Sequence, residues 1–210
     1  LASIWAPNLR LGVAILPAFT RGPGLMAMSI ASMCQAAPGR FVVGIGTSSD
    51  VIVEKWNGIP FTKPYQRVRD TVKFLRKALA GEKITEEFES FSVQGFRLGV
   101  KLETQPKILV AALRLAGRVG DGAIINWLSA DDVKKVAPIV REAGPDKEIV
   151  ARIFVAPNPD KAQVRAMAKF AIAAYLNVPV YAAFHEWLGR GPKLAAMWEA
   201  WKKGDRKAAI

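Results

Sequence analysis

The sequence predicts an α/β fold built on a parallel sheet with helices packed over it. Two observations carry this. Short apolar runs alternate with helix-length amphipathic segments over residues 10–156, the rhythm of parallel strands joined by helical crossovers. The runs are also apolar almost throughout, as strands buried on both faces are. A closed barrel and an open doubly wound sheet both satisfy this pattern.

Arg10–Leu16 (RLGVAIL) is short and rich in strand formers, and Pro17 ends it. Pro23 opens a helix with apolar Leu25, Met28, Ala31 and Met33, and Pro38-Gly39 stops it. Phe41–Ile45 (FVVGI) is a second buried strand, followed by a loop over residues 46–64 rich in Gly, Ser and Pro. Tyr65–Ala80 is an amphipathic helix with a stripe of Val68, Val72, Leu75 and Leu79, capped by Gly81. Residues 82–106 break the rhythm: Phe88–Val93 and Gly95–Leu102 alternate enough to predict an inserted hairpin. Lys107–Ala112 is the third strong strand, Leu113–Val119 a short helix and Gly122–Asn126 a fourth strand. Ser129 is a natural N-cap for a helix over Asp131–Ala143. Ile149–Ala156 is a fifth strand. The segment 159–209 is helical, in three pieces: Lys161–Leu176, Tyr181–Leu188 and Lys193–Ala208. Residues 1–210 therefore read as one domain.

Composition excludes several classes. Hydrophobic residues make up 51% and charged residues 23%, a globular mixture rather than a disordered one. The single cysteine, Cys34, excludes an internal disulfide and suits a reducing, cytoplasmic compartment. No apolar stretch is long enough to span a bilayer, so no membrane partner is expected. No export leader is visible before the first strand, and a start at Leu1 suggests a missing N-terminal piece. The net charge of +12 is spread along predicted helix faces. It reads as a solvated surface that also attracts anionic small molecules, not as a nucleic-acid interface.

The motifs narrow the chemistry. Gly44-Ile45-Gly46-Thr47-Ser48-Ser49 follows a strand. It lacks the third glycine and the ribose-binding acid of a dinucleotide fingerprint. Glycines there still let backbone approach a flat ligand closely, and Thr47, Ser48 and Ser49 add hydroxyls. There is no phosphate-binding G-x-x-x-x-G-K-S/T motif. His185 is the only histidine, so a multi-histidine metal centre is excluded and a structural role is expected. Trp187, Trp198 and Trp201 are expected in the core, and Trp127, at a strand end, either lines a pocket or packs.

LGVAILPAFTRGP, GRFVVGIGTSSDVIVEKWNGIPFTKPYQRVRD, FRLG and ILVAALRLAGRVGDGAIINWLS occur in this order. Together they resemble the luciferase-like monooxygenase superfamily, and within it the deazaflavin-dependent oxidoreductases that use coenzyme F420. The match is good over residues 10–129 and looser beyond. The resemblance implies an incomplete (β/α)8 TIM barrel running from the third strand to the seventh. It implies a non-prolyl cis bond at Ala14–Ile15, backing the cofactor ring, and cofactor contacts from Gly46, Thr47 and Ser48. The phosphate loop would start at Ala111-Ala112-Leu113, with Ala112 and Leu113 as cofactor contacts. There VAAL runs straight into RLAG, without the family's usual intervening Gly-Pro stretch, so backbone N–H groups for the phosphate are missing and Arg114 is a substitute charge. Asn126 and Trp127 would face the substrate. The implied function is hydride transfer between F420 and a small organic substrate by a homodimer. The alternatives are an FMN-dependent monooxygenase and a non-catalytic truncated remnant, whose exposed strand edges would favour pairing with another chain. No catalytic acid or base is carried over.

Overall fold

A computed structural model describes residues 1–210. The chain divides into two compact units, Leu1–Arg152 and Ile153–Ile210.

The first unit holds five parallel strands: β1 (Leu11–Pro17), β2 (Phe41–Gly46), β5 (Lys107–Val110), β6 (Gly122–Ile125) and β7 (Glu148–Ala151). A short antiparallel pair, β3 (Ile84–Glu87) and β4 (Ser92–Phe96), forms a separate hairpin. The helices are α1 (Ala2–Trp5), α2 (Pro23–Ala36), α3 (Pro64–Leu79), α4 (Leu113–Val119) and α5 (Ala130–Arg141). Val51–Trp56 forms a π-helical turn.

Strand order decides between the two candidate architectures. A doubly wound sheet reverses its order at a switch point and carries helices on both faces. Here the order is β1-β2-β5-β6-β7 without reversal, and α2, α3, α4 and α5 pack on one another in chain order on one face. The other face is concave. Arg10, just before β1, pairs with Glu148, at the start of β7, at 2.9 Å. Four inter-strand spacings would hold the edges of a flat sheet about 19 Å apart, so this contact requires strong curling. Unit 1 is a barrel segment. Its convex side is packed by Phe41, Val43, Ile45, Ile108, Val110, Ala123 and Ile125, all buried against helices.

Glu148 also accepts from Lys107 at 2.9 Å. Hydrogen bonds from Arg10 and then Lys107 hold its carboxyl below the usual carboxylate range. A carboxyl depressed on folding contributes stability above its unfolded value and loses it as pH falls through the folded one. Arg10 and Lys107 are more than half exposed, so the expected contribution is at most on the order of 1 kcal/mol. Urea unfolding at pH 7 and pH 3 should show Glu148→Gln flattening the acid side of the stability curve, with no change in that slope counting against the pairing.

Several elements differ from expectation for identifiable reasons. In α2 the buried face is Met26, Ala27, Ile30, Ala31 and Cys34, while Leu25, Met28 and Met33 are exposed. The helix is apolar nearly all round, so periodicity could not select its face. Burial pushes the Cys34 thiol pKa up, which keeps it protonated and unreactive. The α3 stripe is buried as expected, joined by Phe74 and Ala78. The hairpin lies earlier than alternation suggested. Phe88 and Phe91 sit in its turn, where Phe88 N donates to Phe91 O at 2.8 Å, and they pack with Phe96 around Phe74. Aromatic clustering on α3 thus takes residues that looked like strand. The strand expected over Ile149–Ala156 stops at Ala151 because β6, its neighbour, ends at Ile125 and offers no further ladder.

The second unit contains α6 (Lys161–Leu176), α7 (Pro179–Trp187) and α8 (Gly191–Lys202). Asp160 caps α6 by accepting from Ala162 N and Gln163 N. Trp198 Nε1 donates to Leu176 O at 2.9 Å, and Phe170 meets Trp201. None of the three tail tryptophans is in the core. Helix α8 buries no residue and Trp198 and Trp201 are half-exposed, because the three-helix tail is too thin to enclose rings of this size. Trp187 is 57% exposed, stacked on Phe184. His185 is buried, with Arg190 Nη1 3.3 Å from its Nδ1. No single helix is long and apolar enough to cross a membrane. The α6–α7 pair passes that test only when taken together, and it is bent by 92°.

Candidate functional site

The C-terminal ends of parallel strands are where α/β barrels place their sites, and the expected residues collect there. In β1 the pairing with β2 runs Val13↔Val43 and then Leu16↔Ile45, so two residues, Ala14 and Ile15, stand against Gly44. This is a β-bulge. The Ala14–Ile15 peptide bond within it is cis, as the family resemblance implied.

Two glycines of β2 make room for the bulge. A Cβ at Gly44 would lie 2.6 Å from Val13 O, and a Cβ at Gly46 would lie 2.3 Å from Ile15 Cδ1 and 3.2 Å from Ala111 Cβ. Ile15, Gly46 and Ala111 are therefore neighbours on the concave face. Pro17 pairs with Gly46, and Ala18 N donates to Gly46 O at 2.9 Å. Ala14 is exposed and Ile15 half-buried.

Thr47 and Ser48 follow Gly46 directly and are half-exposed. Thr47 Oγ1 donates to Ser48 O at 2.9 Å, and Ser49 Oγ accepts from Ile52 N at 3.3 Å at the start of the π-helical turn. Ser48 has φ +66° and Trp127 φ +57°. Left-handed backbone costs a residue with a Cβ roughly 1–2 kcal/mol, and such outliers gather at binding sites. Both are candidates from the sequence, and both sit just past strand ends.

Asn126 and Trp127 follow β6, two strands along the sheet from β2. Asn126 Oδ1 accepts from Trp127 N at 3.1 Å, which shapes that turn. Ala112 is the N-cap of α4 and gives it no side-chain cap. Ala111 and Ala112 are exposed. Helix α4 starts at once and runs only seven residues. Arg114 does not join the strand ends: with Arg118, Ile139, Glu142 and Ala143 it lines a hollow of about 350 Å³ between α4 and α5. A larger hollow of about 460 Å³, lined by Val72, Lys73, Arg76, Lys77, Glu86 and Val119, lies among α3, β3 and α4. With Ala14, Ala111 and Ala112 exposed, the strand-end face is an open platform. No group of three or more His, Cys, Asp or Glu is placed to hold a metal.

One residue next to this platform gave no sequence signal. Arg67, on α3, donates from Nε to Ala18 O at 3.0 Å and from Nη1 to Ser90 O at 3.1 Å. Its guanidinium lies 4.9 Å from the Phe91 ring and 5.7 Å from the Phe19 ring, and Phe19 packs on Phe61 at 4.9 Å. Burial pulls its pKa below the usual arginine value, and Asp70 partly offsets this.

The luciferase-like monooxygenase family model matches residues 2–210. The chain belongs to that family of enzymes. Among curated proteins it is similar to a 5,10-methylenetetrahydromethanopterin reductase of Methanolobus tindarius, 28% identical over 177 residues, with 79% of this chain and 54% of the relative covered. An F420-dependent glucose-6-phosphate dehydrogenase of Gordonia bronchialis is 27% identical over 177 residues, with 74% and 52% covered. The chain spans about half the length of these relatives. Its fold matches an F420-dependent secondary alcohol dehydrogenase in complex with an F420-acetone adduct, with TM-score 0.64, 19% identity and coverage of 80% of this chain and 54% of that one. It also matches the oxygenating constituent of 3,6-diketocamphane monooxygenase of Pseudomonas putida in complex with FMN, with TM-score 0.60, 18% identity and coverage of 91% and 62%.

The residues present fit the ring of a flavin-type cofactor. The exposed Ala14 and half-buried Ile15 form an apolar bulge at the strand end, and the half-exposed Thr47 and Ser48 follow Gly46 directly beside it. They do not by themselves make a phosphate cradle: the chain passes from β5 to the seven-residue α4 through Ala111 and Ala112 alone, with no glycine turn between.

Proposed function

We propose that the protein is an oxidoreductase that transfers a hydride between coenzyme F420 and a small organic substrate. The observation that carries this is the contact of the Ala14–Ile15 bulge with Gly46 at the strand ends, beside the Thr47 and Ser48 hydroxyls. The F420-dependent naming of the relatives supports the choice of cofactor. A bound deazaflavin would supply the hydride chemistry.

The chain's own part is positioning. Ala14 and Ile15 would back the ring, and Gly46, Thr47 and Ser48 would hold its polar edge. Ala112 and Leu113 would meet the phosphate side, and Asn126 and Trp127 would bound the substrate. The surplus of positive charge draws in an anionic cofactor.

The test is a fluorescence titration of the protein with F420 and, in parallel, with FMN. F420 should bind more tightly, and Gly46→Val should weaken it about 10-fold or more, because the new Cβ displaces Ile15. Tighter binding of FMN would move the reading to a flavin monooxygenase. Binding of neither would overturn it.

A further inference from the structure

The inserted hairpin and helix α3 meet at Arg67, and three loops converge on that side chain. The first is the loop after β1: Ala18 O accepts from Arg67 Nε, while Ala18 N donates to Gly46 O. The second is the hairpin turn, whose Ser90 O accepts from Arg67 Nη1 and whose Phe91 ring faces the guanidinium. The third is the long loop after β2. Its Phe61 packs on Phe19, and Phe19 also faces the guanidinium. Phe61 is itself tied back to the π-helical turn, through its N–H donating to Glu54 Oε1 at 2.9 Å.

The hairpin turn is fixed independently. Asp70, one turn further along α3, accepts from Ser90 N at 3.1 Å and Ser90 Oγ at 2.9 Å. Asp70 is 2% exposed, so these bonds are shielded from water. Ser90 O is thereby aimed at Arg67, and Arg67 in turn presents its Nε to Ala18. A planar guanidinium with several fixed donors can hold two carbonyls and stack on rings at once. An ammonium cannot.

We propose that Arg67 is a positioning residue for the cofactor platform, clamping the end of β1 against Gly46, and that the β3–β4 hairpin serves to orient it. The proposal rests on the cofactor reading above. It assigns a role to two parts of the chain, the insertion and the α3 surface, that the proposed function leaves without one.

The experiment compares the wild-type protein with Arg67→Lys, Arg67→Met and a control, Val136→Ala, which loosens α5 at a buried position remote in sequence from the clamp. Amide hydrogen exchange needs no ligand. The ratio of the Ala18 rate to the Val43 rate separates local release from global unfolding. It should rise about 10-fold in Arg67→Met, less in Arg67→Lys, and stay fixed in Val136→Ala. Affinity for F420 or FMN should fall in the same order. If the wild-type protein binds neither cofactor, the cofactor reading fails whatever Arg67 does. If the wild-type protein binds and both Arg67 variants bind equally well, the positioning role is wrong. It is also wrong if Ala18 and Val43 speed up by the same factor, because Arg67 then acts only on overall stability.

Discussion

Gly44→Ala should cost the protein about 3 kcal/mol of stability, at the upper end of what overpacking a core does. The reason is local and backbone-borne. The added methyl would sit 2.6 Å from Val13 O and 3.3 Å from Ile15 Cγ2, with Ile124 Cδ1 at 3.4 Å on the far side. A flexible side chain could swing away, but Val13 O belongs to a strand held in register by β2 itself. Relief therefore requires β1 to part from β2 or the bulge to shift. Urea unfolding followed by far-UV circular dichroism measures the loss. A loss below about 1 kcal/mol would show that the bulge is mobile enough to accept a methyl group.

Asp70→Ala should be of similar size, about 3–5 kcal/mol, the range found when one partner of a buried ionic group is removed. Asp70 Oδ1 accepts from Arg69 Nε at 2.8 Å, and Oδ2 takes both polar groups of Ser90. Truncation strands the Ser90 amide and hydroxyl beside an aromatic cluster. Arg69 still reaches Glu89 and solvent, so it adds less. Asp70→Asn keeps the shape and an acceptor for Ser90, and should lose less than half as much. Equal losses for the two variants, read from urea midpoints, would place the effect in the charge rather than in the hydrogen bonds to the hairpin.

What the sequence made legible follows from what is local. Strand and helix order came from apolar runs and their punctuation by Pro and Gly, and α3 was read to its correct face because its polar side is strongly marked. Curvature was implied by the family resemblance and not by apolar periodicity, which is the same for a flat and a curled sheet; the structure shows it where Arg10 meets a glutamate 138 residues away. That contact and the unreversed strand order together reject the doubly wound alternative. The α2 face was misread because a helix apolar all round carries no directional signal. The hairpin register was misread because Phe88 and Phe91 answer to Phe74 rather than to a cross-strand partner. At the candidate site, the cis bond at Ala14–Ile15 was accessible through family resemblance alone. The reason Gly44 and Gly46 are glycines needed the bulge to be seen. Arg67 had no sequence signature, because a half-buried arginine in an amphipathic helix looks like any other surface cation.

The concave face has a consequence for engineering. Barrel interiors are ordinarily filled by bulky branched side chains, yet here the small, exposed Ala111 stands beside Gly46. Under the proposed function, this room is where the cofactor ring would lie. Filling Ala111 with valine or isoleucine would then add apolar contact to the scaffold while crowding the ring, so heat resistance and cofactor affinity would pull in opposite directions.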